Sequence, residues 1–322
     1  MYDSCLRSAL FDRNFRKMNR QRRNTVHYIL YNTLSGNKKG LESARLLVGN
    51  LAPENATLVD VFTITDYADF WKNVDIENDT VILSGGDGTL NHFINANKGF
   101  TLPENLFYYP SGSGNDFKND VAGNDNTELI SLHKYIVDLP TVTINGQTSY
   151  FINGIGYGLD GYCCEVGDKL RANSNKPVDY TGIAIKGILF HFQSANAKIT
   201  VDGVTKEYKR VWIAPTMKGR FYGGGMMVAP MQKRFDSDGK VSVGVFHNAS
   251  KLKILTILPS VFEGKHVKHT KQFEVRTGHE ITVEFDRPTP LQIDGETVLG
   301  VTSYTVKTGK LAKEKEIAAA EV

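Results

Sequence analysis

Apolar residues recur along this chain with one rhythm up to about residue 138 and with another beyond it. Residues 26–31, 58–64, 80–84 and 106–109 are short, nearly continuous apolar runs. Each is followed by turn-forming residues, and helix-spaced apolar positions come next. Leu41, Ala44, Leu47 and Val48 follow the first run; Tyr67 to Trp71, with Thr65 or Asp66 as a cap, follow the second; His92 to Asn97 follow the third. Runs without polar alternation suit strands buried on both faces, and their alternation with helices predicts an α/β domain with a doubly wound parallel sheet. After residue 138 the segments shorten and alternate: 141–144, 149–152, 198–201, 208–214, 241–247, 272–277, 281–285, 291–293 and 303–307. Between them lie Asn145-Gly146, Asp202-Gly203, Asp238-Gly239 and Asp294-Gly295, pairs that favour tight antiparallel hairpins. A β-rich, sandwich-like second domain is expected, with helices near 181–192 and 251–264. The expected boundaries are 1–24 for a basic N-terminal extension, 25–138 for the α/β domain and 139–307 for the β-rich domain. The tail from about 308 to 322, rich in Lys, Glu and Ala, is expected to be a helix that frays or packs back on the first domain.

Composition narrows the class without naming a function. A chain of 322 residues exceeds what one core usually serves, so two domains are the default. A formal charge of +3 is too small to argue for nucleic acid, and no basic stretch is interleaved with stacking aromatics. The three cysteines, Cys5, Cys163 and Cys164, have no CxxC spacing, so neither a disulfide framework nor a zinc site is expected and a reducing, cytoplasmic compartment fits best. No apolar run reaches the roughly 18–20 residues that a spanning helix needs. Residues 1–24 carry Arg7, Arg13, Arg16, Lys17, Arg20, Arg22 and Arg23 and no apolar stretch of the secretory type. A disordered extension, or a start at Met18, is the expectation there.

The densest chemistry lies where the third run ends, at Ser84-Gly85-Gly86-Asp87-Gly88-Thr89-Leu90-Asn91. Glycines at a strand-to-helix turn let backbone N–H groups approach a polyphosphate, and the helix start adds unpaired donors. Asp87 beside such an anion site makes sense with a divalent cation between. No Gly-Lys-Ser/Thr follows, so this is not a Walker loop. Two further loops, Asn32-Thr33-Leu34-Ser35-Gly36 and Pro110-Ser111-Gly112-Ser113-Gly114-Asn115-Asp116-Phe117, fall at the same ends of neighbouring runs, where α/β sheets bind ligands. Near the end of the chain, Asp294 and Glu296 stand two apart and on a strand project to one face, a suitable pair for taking a proton from an alcohol.

These pieces, with Asn153 through Asp160, Tyr222-Gly223-Gly224-Gly225-Met226 and Asp294-Gly295-Glu296 in this order, resemble the diacylglycerol-kinase-type lipid kinases, in particular small bacterial members. The resemblance implies a phosphofructokinase- or NAD-kinase-like first domain and phosphoryl transfer from ATP, with Mg²⁺, to a lipid hydroxyl, diacylglycerol foremost. It implies that Asn32, Ser35, Gly36, Gly85, Gly86, Asp87, Gly88 and Thr89 cradle ATP and its magnesium, with Thr65, Asn91, Ser113 and Asn115 nearby. Asp116 is structural or close to the phosphates. Glu296 becomes the general base, with Asp294 orienting it or helping to bind metal. Asp238, with the carbonyls of Phe235 and Lys240, matches a structural magnesium loop. The implied partner is a lipid at a membrane surface, met peripherally; a homodimer is left open.

Local readings compete with these. Asp294-Gly295-Glu296 alone reads as an ordinary hairpin, and Asp238-Gly239 as a plain turn. Lys251, Lys253, Lys265, Lys268 and Lys271 suit either anionic lipid or a solvated face. Ile183, Ile188, Leu189 and Phe190 suit either an acyl-chain pocket or core packing. His92 stands where the family usually has an acidic residue. It keeps a non-catalytic nucleotide- or lipid-binding module in view, beside an NAD-kinase-like enzyme with a soluble acceptor.

Overall fold

The computed structural model describes residues 25–51, 55–122, 129–173, 178–235 and 238–309. The expectations for residues 1–24 and for the tail beyond Gly309 lie outside the described residues.

The first domain runs β1 (His27–Tyr31), α1 (Ser35–Lys38), α2 (Gly40–Leu51), β2 (Ala56–Asp60), α3 (Tyr67–Lys72), β3 (Thr80–Gly85), α4 (Asp87–Ala96), β4 (Leu106–Pro110), α5 (Asp116–Val121), β5 (Ile130–Ser131) and α6 (His133–Ile136). Its sheet has the order β2-β1-β3-β4-β5, parallel except for the short edge strand β5. The continuous apolar runs have a direct physical reason. Ile29 and Ile82 face Ala44 and Leu47 of α2, while their strand neighbours Leu30, Val81 and Leu83 face Leu90 and Phe93 of α4. Alternate residues therefore feed two cores, and the middle of β1 and of β3 has no polar side chain. Asp66 caps α3, its carboxylate accepting from the Ala68 N–H at 2.7 Å. The second run is shorter than its sequence suggested. β2 stops at Asp60, whose side chain accepts from Phe62 N and bends 61–63 into a 3₁₀ turn.

The second domain runs β6 (Thr141–Ile144), β7 (Gln147–Tyr150), β8 (Gly154–Tyr157), α7 (Leu159–Asn173), α8 (Tyr180–Lys186), a π turn (Gly187–His191), β9 (Ala195–Val201), β10 (Val204–Val211), β11 (Thr216–Met217), β12 (Val241–Phe246), α9 (Lys251–Ile257), β13 (Phe273–Gly278), β14 (Glu280–Ile293) and β15 (Glu296–Lys307). All pairings are antiparallel. Three of the four expected turn pairs close two-residue hairpins with both residues at positive φ: Asn145-Gly146, Asp202-Gly203 and Asp294-Gly295. These are the angles that a type I′ turn demands.

Two features depart from the expected layout. Segments 281–285 and 291–293, expected as separate strands, belong to one strand, β14, which runs through Pro288 and Pro290. Its first half pairs with β9 and its second with β8, and its register with β15 shifts between Glu284 and Thr289. The prolines sit at that irregularity, where a missing N–H costs least. The sequence also hid α7, a fifteen-residue helix broken up by Gly161 and Gly167. Gly161 is there because Pro290 of β14 crosses so closely that a Cβ would lie 2.1 Å from its carbonyl oxygen.

Candidate active site

The loops after β1, β3 and β4 lie side by side because their strands are sheet neighbours. Their contact is backbone to backbone. A Cβ on Gly112 would lie 2.4 Å from the Gly86 Cα, and one on Gly36 2.7 Å from the Ser111 carbonyl oxygen. Side-chain bonds tie the same loops. Asn32 donates to Thr89 Oγ1 at 2.8 Å, and its own Oδ1 accepts from Leu34 N. The Ser84 and Ser111 hydroxyls lie 3.1 Å apart, and Asn115, at φ 51°, closes its loop by exchanging bonds with Gly112. Helix α4 starts at this junction with Gly86 as N-cap and no capping side chain. Its first-turn N–H groups have no intrahelical acceptor, which makes the junction a ready anion site. Ser35 opens α1 at the same rim, its N–H bonded to Asn32 O, and Ser113 is exposed on the loop after β4. Thr65 is exposed beyond β2, the outer strand of the sheet.

The carboxylates have distinct environments. Asp87 Oδ1 accepts from Phe117 N and Asn153 Nδ2, and Oδ2 from Asp116 N, all at 2.9 Å. Asp87 thus fastens the glycine loop to the start of α5 and to the second domain. Asp116 is buried and accepts from Gly224 N and Gly225 N at 2.8 and 2.7 Å. Burial, reinforced by the charge of Asp87, pushes its carboxyl up to about 6. It grips the Tyr222–Met226 glycine turn while its own N–H holds Asp87.

Asp294 is anchored from both domains. It is buried, and four donors surround it: Asn91 Nδ2 and Ile152 N on Oδ2, Asn153 N and Gly154 N on Oδ1, at 2.7–2.9 Å. Burial raises its carboxyl while these donors pull it down. With every strong acceptor direction used, it has no place for a metal; it holds the β14–β15 turn in position. Asn91 is likewise drawn away from the nucleotide side, buried against Asp294 and Tyr150 O. The Asp-Gly pair is an ordinary hairpin turn as well as an anchor, since only the Asp294 side chain distinguishes it.

Glu296, two residues on, is exposed at the start of β15 and reaches across to the first domain. A Cβ placed on Gly88 would lie 2.7 Å from Glu296 Oε1. The carboxylate therefore stands directly over the glycine loop, and the absence of a side chain at Gly88 makes room for it.

Asn153 links these groups and was visible in the sequence only as part of a motif. Its side chain donates to Asp87, its backbone N–H donates to Asp294, and its Oδ1 accepts from Arg234 at 2.9 Å. Arg234 is paired in turn with buried Asp120 at 2.7 Å, which also holds Arg220. Isolated polar residues far apart in the chain carried no periodic signal that could have predicted this. The second proposed metal site is not assembled from what is described. Asp238 is exposed and paired with Lys240 at 3.0 Å, the Lys240 carbonyl already accepts from Gln232 Nε2, and the Phe235 ring packs on Tyr135. Asp236 and Ser237 lie outside the described residues. Among the described residues no group of three or more His, Cys, Asp or Glu is arranged to hold a metal ion.

Residues 27–142 match the family model described as the diacylglycerol kinase catalytic domain, and residues 153–311 match the one described as the YegS C-terminal NAD kinase beta sandwich-like domain. The two matches account for most of the chain. It belongs to the diacylglycerol-kinase-type lipid kinase family. A Mycobacterium tuberculosis protein named diacylglycerol kinase is 26% identical over 223 residues, covering 65% of this chain and 67% of the relative. A crystal structure from Bacillus anthracis str. Sterne superposes with a TM-score of 0.61 at 20% identity, over 88% of this chain and 92% of that one. Another from the same source, described as a diacylglycerol kinase, gives 0.54 at 18% identity, over 88% and 93%. At these identities the structures show the shared fold: an α/β domain joined to an antiparallel β-sandwich-like domain. No helix among the described residues is long and apolar enough to cross a membrane.

Proposed function

We propose that this family member transfers the γ-phosphoryl group of ATP to the hydroxyl of a lipid, with diacylglycerol as the acceptor and Mg²⁺ as the cation. The observation that carries the reading is the position of Glu296 over Gly88. A general base belonging to one domain meets a phosphate-type loop belonging to the other.

Phosphoryl transfer asks a protein for alignment and charge neutralisation more than for covalent chemistry. The backbone donors of the Asn32–Gly36, Gly85–Thr89 and Ser111–Asn115 loops would bind the polyphosphate. Their close packing fixes its position, because no side chain fits between Gly86 and Gly112. Asp87, with hard oxygen donors at the rim of this cradle, is the residue that would hold Mg²⁺ alongside phosphate oxygens. Bound there, Mg²⁺ would neutralise charge on the transferring group. Three N–H donors keep the Asp87 carboxylate in one orientation for that purpose. Glu296, solvent-reached and unencumbered by the donors that saturate Asp294, would accept the proton of the lipid hydroxyl as the oxygen attacks. Such a base contributes about 10²–10⁴-fold.

The experiment is transfer of labelled phosphate from ATP to a lipid panel by purified protein, with NAD included as a soluble acceptor. Label in diacylglycerol supports the reading. Release of NADP and no labelled lipid supports the NAD-kinase-like alternative, and bound ATP with no transfer to any alcohol supports a binding module.

A further inference from the structure

One face of the second domain carries its own chemical signature. The π turn after α8 ends the helix with one residue more per turn than an α-helix, a geometry often found at functional positions. It turns Phe190 outward, leaving it 73% exposed. Leu252 on α9 is 72% exposed. Lys251 Nζ donates to the Leu189 carbonyl at 2.8 Å and laces together the two elements that carry these residues. Beneath them Ile183, Ile188, Phe192, Trp212, Ile254 and Ile257 form a closed core. The sequence left Ile183, Ile188, Leu189 and Phe190 open between acyl pocket and core. The structure divides them: Ile183 and Ile188 are core, and Phe190 faces out.

Around this apolar ridge the charge is one-sided. Segments 180–191 and 250–271 contain six lysines, Lys186, Lys251, Lys253, Lys265, Lys268 and Lys271, and a single acidic residue, Glu263. Glu263 is matched by Lys265. Exposed large apolar tips inside a field of lysines suit an interface that is greasy and negatively charged at once. The face also leads to the proposed base. α8 rests on α7, with the Tyr180 ring filling the space above Gly167, and Asp168 of α7 accepts from the Thr297 hydroxyl next to Glu296 at 2.6 Å.

We infer that the ridge formed by Phe190 and Leu252, with the surrounding lysines, seats the protein on an anionic phospholipid bilayer. The inference deepens the lipid-kinase reading, since it names the surface from which a lipid acceptor is drawn. The test is co-sedimentation of the full chain with vesicles of phosphatidylcholine alone and of phosphatidylcholine with phosphatidylglycerol, without ATP. Phosphorylation of a dispersed short-chain diacylglycerol and the oligomeric state are measured in parallel. The protein is expected to bind the phosphatidylglycerol vesicles and to release them as salt rises. The double variant Phe190→Ser/Leu252→Ser is expected to bind about tenfold or more weakly. The variant Lys186→Glu/Lys253→Glu should show the same loss by a separate route, and both should phosphorylate the dispersed lipid at the wild-type rate. Wild type that ignores both vesicles, or variants that bind as wild type does, overturn the inference. So does a dimer that falls to monomers on Phe190→Ser/Leu252→Ser, for then a second copy covers the ridge. Docking without phosphorylation of any lipid would refute the kinase reading and leave the docking face standing. Phosphorylation without docking would do the reverse.

Discussion

Replacing Asn153 by Ala tests how the two halves of the site are joined. The side chain is 2% exposed and makes one bond to the Asp87 carboxylate and one with the Arg234 guanidinium, both at 2.9 Å. Bonds to charged partners contribute about 1.5–3 kcal/mol each. The loss is partly offset, because Asp87 keeps Asp116 N and Phe117 N and Arg234 keeps Asp120. The backbone bonds are untouched: Asn153 N donates to Asp294, and its carbonyl accepts from Lys218 N and Gly219 N. The net expectation is a destabilisation of about 2–4 kcal/mol, or a fall in Tm of roughly 3–6 °C for a chain of this size. Turnover should fall by about 10–100-fold, since Asp87 loses one of its three positioning donors. Asn153→Asp sharpens the test. The new carboxyl would be buried between Asp87 and Asp294, and the neighbouring Arg234 is already paired with Asp120, so its pKa in the folded state is expected above its unfolded value. Stability is then preserved below the unfolded pKa and lost as pH rises toward the folded one. Urea unfolding at several pH values reads both variants. A loss below about 0.5 kcal/mol for Asn153→Ala, or an Asn153→Asp variant whose deficit does not change with pH, would refute the reasoning.

Other expectations follow from the same geometry. Gly112→Ala must push the loops after β3 and β4 apart, because its Cβ would lie 2.4 Å from the Gly86 Cα; ATP affinity by calorimetry should drop about tenfold or more with a stability loss of about 1–3 kcal/mol. Asp294→Asn sets an amide NH₂ against at least one backbone donor whichever way it lies and should cost about 3 kcal/mol in urea unfolding, with Glu296 displaced and kcat lowered more than ATP affinity. Burial pushes the Asp160 carboxyl up to about 6. The folded state therefore holds its proton more tightly than the unfolded chain, and the stability this brings is full below about pH 4 and lost as pH rises to 6. Asp160→Asn should flatten that slope of stability against pH.

The first sheet was legible because parallel strands buried on both faces have no alternative reading: residues 80–84 and 106–109 differ from β3 and β4 by a single terminal residue. Hairpins carried by Asn-Gly and Asp-Gly were equally plain, since those pairs readily accept two consecutive positive φ angles. Helix α7 was hidden because its glycines answer to neighbours, Gly161 to Pro290 and Gly167 to Tyr180, and not to helix propensity. The glycine loops were recognisable by composition. The distribution of work among the acids was not. Asp294, Glu296, Asp87 and Asp116 look alike in sequence, and only their donors separate a saturated anchor from an open base. Asn91 followed the glycine motif in sequence but is committed to Asp294 in space. Arg234, Asp120 and Asn153 are joined through contacts spanning about a third of the chain or less, with no spacing rule to reveal them.

The central claim is that Glu296 takes the acceptor proton above the glycine loop, and Glu296→Gln tests it most directly. The measurement is lipid phosphorylation from labelled ATP by wild type and variant, with ATP binding determined on the same preparations. The account predicts labelled diacylglycerol with wild type, a fall in turnover of about 10²–10⁴-fold in Glu296→Gln, and ATP affinity unchanged within about threefold. Wild-type turnover retained by Glu296→Gln would contradict it.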